Sequence, residues 1–300
     1  MLLHVVHETV YAYAPAVRTA KHMAHLRPLD GAGQQVVRHG LAISPQPAVR
    51  HDSLDAFGNS RCYFGVPGAH EQLRVIADSI VSTSAPPAVE DSIAWEAARD
   101  RFRYHRGGAY DPASQFLFAS PYVPRHEDLA AYARPSFAPG RPLYEAARDL
   151  CARIHREFDY MSQATDASTP ALEALALRKG VCQDFAHVML GCLRSLGLPA
   201  RYVSGYLLTE PPPGQPRLLG SDASHAWASV YLPSAGEAGA GRWADLDPTN
   251  DRAPGEDYVT LAIGRDYADV SPIRGVIHGG ANHALRVAVT VAPVAPDAGP

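Results

Sequence analysis

The hydrophobic pattern of the chain changes period along its length. Over "VHETVYAY" (residues 6–13) apolar and polar positions alternate, and the run is rich in Val, Thr and Tyr, the signature of a half-buried strand. "LAISP" (41–45), "RCYFGV" (61–66) and "LRVIADSIVS" (73–82) are further strand-like runs. "DAFGNS" (55–60) supplies Asp, Gly and Asn for a turn between two of them. Several short strands with turn punctuation predict a β-sandwich-like domain over residues 1–83.

From residue 84 the alternation stops. "APPAVE" reads as a linker, and "DSIAWEAARDRFRYH" as a short helix with Asp91 or Ser92 as its N-cap. The proline-rich "RPSFAPGRP" (134–142) closes a connecting segment spanning residues 84–141. Beyond it the helical period takes over. In "LYEAARDLCARIHREF", Leu143, Ala146, Leu150, Ile154 and Phe158 fall on one face, with Cys151 flanking the stripe as a core residue. "TPALEALALRKG" predicts a second helix, with Thr169 as N-cap, Pro170 at the first helical position and Gly180 beyond the end. In "GVCQDFAHVMLGCLRSLGLP" (180–199), Phe185, Val188, Met189, Cys192, Leu193 and Leu196 form a third stripe, stopped by Gly197 and Pro199. "SHAWASVYLP" (224–233) and "RWADLDPTND" (242–251) then alternate as strands, and the Gly-rich "PSAGEAGAG" between them predicts an antiparallel hairpin. The fold class expected is α+β: a β domain followed by a core, residues 142–300, of helices packed on an antiparallel sheet with a C-terminal strand region.

Composition narrows the function classes. The 300 residues suffice for two packed units, and 46% hydrophobic with 19% charged residues describes a globular chain. A net charge of -4 offers no nucleic-acid footprint. The start "MLLHVVHETVYAYAP" lacks a basic region, and no apolar run reaches the ~18 residues of a membrane-spanning helix, so neither a signal peptide nor a membrane partner is expected. The 4 cysteines show no CxxC pair and no dense framework, and the 14 histidines form no HExxH. Metal-assisted hydrolysis, a zinc site and a disulfide scaffold therefore lack support; no metal and no cofactor is expected, and a reducing cytoplasm fits best.

Cys182 does not belong to the apolar stripe of its helix, and its position makes it the best thiolate candidate of the four cysteines. It stands at a helix start, where partial positive charge and unpaired N–H groups favour a thiolate and can receive an oxyanion. The alternative is plain packing, because free cysteine is among the most buried residue types. On the hairpin, a register with Val230 opposite Arg242 sets His225 opposite Asp247, with Cβ atoms roughly 5 Å apart. A slip of two residues sets Asp245 there instead. Cys182, His225 and Asp247 are the parts of a Cys-His-Asp triad; an ordinary strand histidine and a turn-capping aspartate are the alternative.

"GVCQDFAH", "GLPARYVSGY", "SHAWASVYLP" and "WADLDPTN", in that order, resemble the core of the transglutaminase-like superfamily. "VHETVYAYAPAV", "HLRPLDGAGQ", "DAFGNS" and "LRVIADSIV" resemble the β domain that precedes this core in bacterial transglutaminase-like proteins, and "AIGRDYADVSPIRGVIHGG" with "HALRVAVTV" their C-terminal region. The resemblance implies Cys182 as nucleophile, His225 as base and acid, and Asp247 as the residue orienting His225. It implies acyl transfer on a peptide, protein, isopeptide or other amide through a thioester. Hydrolysis is the favoured outcome, with protein-glutamine crosslinking and a catalytically silent peptide-binding module as alternatives. The family's second oxyanion donor lies upstream of the cysteine; Tyr160 and Gln163 are polar candidates without motif support. Asp184, His187 and Trp227 are read as helix-start charge, helix-surface histidine and strand packing. Asp266 and Asp269 have no assigned role, and the loop "TEPPPGQPRLLGSD" (209–222) is expected to border the site.

Overall fold

The computed structural model describes residues 1–31, 33–89, 92–104, 106, 110–209, 224–234, 241–280 and 282–294. Its N-terminal sheet is built on two unusually long strands. β1 (Leu2–Ala24) and β4 (Ser60–Thr83) run antiparallel, with β2 (Gln34–Ser44) and β3 (Val49–Leu54) one after the other along the outer edge of β4. The β1–β4 register shifts between Ala12 and Thr19, so the long ribbon bends. Phe64 and Val66 from one half of β4 then share a core with Leu73 and Val75 from the other half and with Tyr13 and Val17 of β1. The strand runs read from the sequence thus lie inside longer strands, and the sheet is sandwich-like because it folds on itself.

The connecting segment holds α1 (Trp95–Arg101), a 3-10 turn (Pro112–Leu117), α2 (Glu127–Ala133) and a second 3-10 turn (Arg134–Ser136). Ala94 occupies the N-cap of α1, with no side-chain cap bond. Asp91 lies outside the described residues, and the Ser92 hydroxyl accepts instead from the Tyr144 N–H at 2.9 Å.

The core follows as α3 (Leu143–Glu157), β5 (Asp159–Tyr160), α4 (Ala171–Leu177), β6 (Lys179–Gly180), α5 (Cys182–Ser195), β7 (Ala200–Leu207), β8 (Ser224–Leu232), β9 (Arg242–Leu246), β10 (Tyr258–Gly264) and α6 (Tyr267–Val270). β7 to β10 form one antiparallel sheet in the order β10-β7-β8-β9. α5 carries its apolar stripe against this sheet and against α3, burying Leu150, Ile154, Phe185, Val188 and Met189 together with Cys151 and Cys192. α4 starts one residue later than expected: Pro170 occupies the cap, while the Thr169 hydroxyl accepts from the Asp166 N–H in the preceding turn. It ends at Arg178 in the left-handed region (φ 53°), two residues before Gly180.

The last strands leave the core. β11 (Ile273–Gly279) and β12 (Asn282–Pro293) pair with β1, β12 along residues 3–14 and β11 along residues 17–24, and so complete the N-terminal sheet to six strands. The two sheets are then joined by an apolar layer in which Leu3, Val5, Val289 and Val291 meet Tyr206, Val259 and Leu261. Two carboxamides secure it. Gln34 and Asn59 each donate to and accept from one backbone unit of β10, at Thr260 (2.8 and 2.7 Å) and Ile263 (2.7 and 2.8 Å). The open edge of the core sheet is thereby covered, as an edge strand requires.

Candidate active site

Cys182 owes its place to its neighbours on the chain. Val181 is extended and precedes the helix, and Asp184 three residues on accepts from the Val181 N–H at 2.8 Å and from the Thr165 hydroxyl at 2.6 Å. This bond fixes the start of α5 at Cys182. Gly180 makes it possible: a Cβ there would stand 2.4 Å from Asp184 Oδ2. The short parallel pair β5–β6 holds Gly180 beside Tyr160. Cys182 is half-buried and lines a cleft, whereas Cys62, Cys151 and Cys192 are buried. Burial pushes the thiols of Cys151 and Cys192 far up, and burial with the Asp52 carboxylate pushes Cys62 up to about 12. The accessible sulfur is therefore the one at the helix N-terminus.

His225 and Asp247 do come together, but not as an opposed strand pair. Val230 stands opposite Ala244, not Arg242, and β9 ends at Leu246. Asp247 is instead the head of the turn that follows. Its Oδ1 accepts from the N–H groups of Thr249 (2.8 Å) and Asn250 (3.3 Å), and its Oδ2 reaches His225 Nε2 at 2.6 Å. The expected strand register is corrected by two residues, and turn chemistry supplies the contact. Asp245 faces Ser229 and accepts from Trp227 Nε1 at 3.1 Å, away from the imidazole.

Two residues that sequence reasoning passed over complete this cluster. Asn250 Nδ2 donates to Asp247 Oδ2 at 2.7 Å and lies 3.4 Å from His225 Nε2. The Tyr258 hydroxyl donates to the same oxygen at 2.8 Å and accepts from Arg252 Nε at 3.0 Å. Asn250 ends the quoted "WADLDPTN"; Tyr258 arrives from β10 with no local signal. Trp227, fully buried, packs its ring against His225 and Tyr258, as strand packing predicts. Gly205, opposite His225 on β7, leaves the room: a Cβ there would lie 2.5 Å from the indole.

The electrostatics follow from the partners. Burial works against a charge on His225, but its bonds to Asp247 and Cys182 and their negative charges outweigh it and push the imidazole up to about 10. Burial alone would raise Asp247, yet His225, Asn250 and Tyr258 together hold it below the usual carboxylate range. With Nε2 engaged by Asp247, Nδ1 is the nitrogen left for the sulfur. The arrangement can hold a protonated imidazole between a thiolate and a carboxylate, and the α5 N-terminus offers N–H groups to an oxyanion.

The cleft encloses about 290 Å³. Cys182, His225, Tyr160, Tyr202 and Tyr267 form one side, and His7, Thr9 and Tyr11 of β1 face them from the N-terminal sheet. Tyr160 thus lies at the cleft, while Gln163 is solvent-exposed and is not among its lining residues. His187 departs from the surface expectation. It is fully buried, accepts from the Tyr267 N–H at 3.2 Å and stacks on Tyr122, and burial pushes it down to about 3. Asp266 caps α6 and accepts from the Tyr122 N–H, and Asp269 pairs with Arg265, so both anchor the segment leading into β11. Apart from Thr209, the loop 209–222 lies outside the described residues. Among the described residues no cluster of metal-ligating side chains occurs and no helix is long and apolar enough to cross a membrane.

Two family models match the chain. One, the Bacterial transglutaminase-like N-terminal region, covers residues 3–82; the other, the Transglutaminase-like superfamily, covers residues 130–248. Uncharacterized protein Mb2599c of Mycobacterium bovis is 42% identical over 303 residues, spanning 98% of this chain and 93% of that protein. A stretch of 122 residues is 31% identical to a protein-glutamine gamma-glutamyltransferase of Pseudomonas aeruginosa, over 38% of this chain and 17% of that enzyme. Among solved structures, a protein of Cytophaga hutchinsonii described as a "Putative Cysteine Protease" shares the fold. It has a TM-score of 0.74 over 100% of this chain and 93% of that chain, at 20% identity.

Proposed function

The chain belongs to the transglutaminase-like superfamily, and from that premise we propose that it is a cysteine-dependent acyl-transfer enzyme acting on amide bonds, with Cys182, His225 and Asp247 as its catalytic triad and water as the usual acyl acceptor. The observation that carries this reading is the 2.6 Å bond between His225 Nε2 and the buried Asp247 carboxylate, beside a half-buried cysteine at a helix N-terminus.

The Cys182 sulfur attacks the amide carbonyl carbon, and negative charge collects on the carbonyl oxygen beside the first N–H groups of α5. His225 gives its proton to the nitrogen as the C–N bond breaks, and the amine leaves. The acyl group stays on sulfur as a thioester. A water molecule then attacks the thioester carbon, its proton passes to His225, the C–S bond breaks and the carboxylic acid departs. Asp247 keeps the ring oriented and stabilises the imidazolium in both halves.

Hydrolysis is favoured because water is the solvent, and an amine competes only where it is positioned or where water is excluded. Transfer to an amine is the second reading, supported by the stretch similar to the Pseudomonas glutamyltransferase. The test is incubation with a panel of peptide carboxamides, with and without a primary amine, and mass spectrometry of the products. Free acid at every amine concentration supports the hydrolase. An amide adduct that takes over as amine rises replaces it with the transferase, and no turnover of any amide sinks both.

A further inference from the structure

We infer that the N-terminal sheet supplies the acyl-group subsite of the cleft and restricts it to uncharged, hydrogen-bonding groups, with Thr9 and Tyr11 on β1 as specificity-determining residues. The inference rests on the acyl-transfer reading above and deepens it.

Three observations carry it. The first is placement. His7, Thr9 and Tyr11 are alternate residues of β1 and share one face of the sheet. Val287 and Leu285 of β12 stand opposite Thr9 and Tyr11 in register and line the same cleft as Cys182 and His225. A substrate acyl group bound at Cys182 therefore meets β1 on its far side.

The second is rigidity. His7 Nδ1 meets the Tyr206 hydroxyl at 3.0 Å and His7 Nε2 meets the Thr9 hydroxyl at 3.0 Å, all three residues being buried. Behind them lies the apolar layer between the sheets, and Gln34 and Asn59 tie the same domain to β10. The β1 face is a fixed wall, so the shape and polarity it presents are preset before substrate arrives.

The third is the charge balance. Besides Cys182, His225 and His7, the described lining of the cleft contains hydroxyls, the Gln183 side chain and apolar side chains, and no Lys, Arg, Asp or Glu. His7 adds no charge near neutrality, because burial pushes it down to about 4. β1 does carry a charge in this stretch, but Glu8 points to the other face, where it pairs with Arg74 and Arg286. Among the described residues, a carboxylate or ammonium brought into the cleft would find no opposite partner other than the catalytic groups themselves to offset its desolvation. A carboxamide or hydroxyl can instead bond to the Thr9 and Tyr11 hydroxyls, and a site built on such bonds discriminates strongly.

The experiment uses three matched peptide chloromethyl ketones that differ only in the side chain beside the reactive carbonyl: carboxamide, carboxylate or ammonium. Labelling of Cys182 at neutral pH is followed by peptide mapping, and each rate is normalised to that of iodoacetamide, which carries no such side chain. In the wild-type protein the carboxamide probe is expected to label at least tenfold faster than either charged probe. Tyr11→Lys is expected to raise the carboxylate-to-carboxamide ratio tenfold or more. Tyr11→Phe, which keeps the ring and the packing, is expected to lower the carboxamide rate several-fold. Equal rates for the three wild-type probes, or an unchanged order in both variants while iodoacetamide still labels Cys182, would overturn the subsite and leave the acyl-transfer reading standing. Failure of every reagent to label Cys182 in the folded protein would remove both.

Discussion

Two histidines, His225 half-buried and His7 buried, face one cleft from two sheets, and their chemistry is opposite. His225 on β8 is pushed up to about 10, because the Asp247 carboxylate and the Cys182 sulfur outweigh its burial. His7 on β1 is pushed down to about 4, because its partners are the neutral hydroxyls of Thr9 and Tyr206 and burial acts unopposed. Burial is therefore common to both, and the partners decide the charge. In the proposed function one wall of the cleft holds and moves a proton, and the other stays uncharged. On the proposed reading the difference separates chemistry from recognition.

The most drastic way to break the comparison is to remove the neutral wall. A chain starting near residue 84 would expose Tyr206, Val259 and Leu261, uncover the β10 edge bridged by Gln34 and Asn59, and leave β11 and β12 without β1. It is expected to be insoluble or unfolded, read by size-exclusion chromatography and circular dichroism; a soluble, cooperatively folded product would show that the two sheets are independent.

Next comes the anion behind the proton-carrying histidine. Asp247→Asn should cut turnover by roughly 10³–10⁴-fold with little loss of fold, since the imidazole loses its orienting anion. Asp245→Asn, which touches Trp227 instead, should do far less. The pH profile adds a signature. A histidine raised above its unfolded value of about 6.5 contributes stability that is complete below that value and lost as pH rises towards 10. The alkaline limb of both stability and activity should therefore move to lower pH in Asp247→Asn. Equal effects of the two substitutions would contradict the assignment.

His7 tests the opposite sign. Its folded value lies below its unfolded one, so the unfolded chain binds its proton first and stability falls between pH 6.5 and about 4. His7→Phe should flatten that acid slope by up to about 3 kcal/mol, even though it loses two hydrogen bonds at neutral pH. Thermal melts over this range check it, and an unchanged slope would mean that His7 is not held neutral by burial. The smallest effect expected is for Tyr258→Phe. It removes one of the donors to Asp247 Oδ2, and should lower turnover by about fivefold, in line with about 1 kcal/mol per hydrogen bond. No change in the pH profile of that variant would leave Tyr258 a packing residue only.

How much of this is legible in the sequence differs between the walls for the same physical reason. The wall proposed to be catalytic is made of local signals: Cys182 at a helix start, Asp184 as its cap, His225 on an alternating strand and Asp247 at a DPT turn. The exact hairpin register was not readable, because the residues joining the strands do not dictate it, and Asp247 met His225 through a turn bond that pattern reasoning does not see. His187 looked like a helix-surface residue because α5 is covered on more sides than its apolar stripe implies. The neutral wall depends on pairing between residues more than 250 apart in sequence, such as Thr9 with Val287, and on the Gln34 and Asn59 bridges. Nothing local in "HALRVAVTV" says that it will return to β1 rather than extend the core sheet. Caps shifted where a side chain had a nearer use, as Thr169 did with Asp166.

The most direct test of the central claim is to trap the covalent intermediate. The protein is mixed with p-nitrophenyl acetate, quenched in acid within seconds and mapped by peptide mass spectrometry. The account predicts an acetyl thioester on Cys182 that decays in water and is absent from Cys182→Ser, with Cys62, Cys151 and Cys192 unmodified. Acetylation of another cysteine with Cys182 left free, or the same labelling pattern in Cys182→Ser, would contradict it.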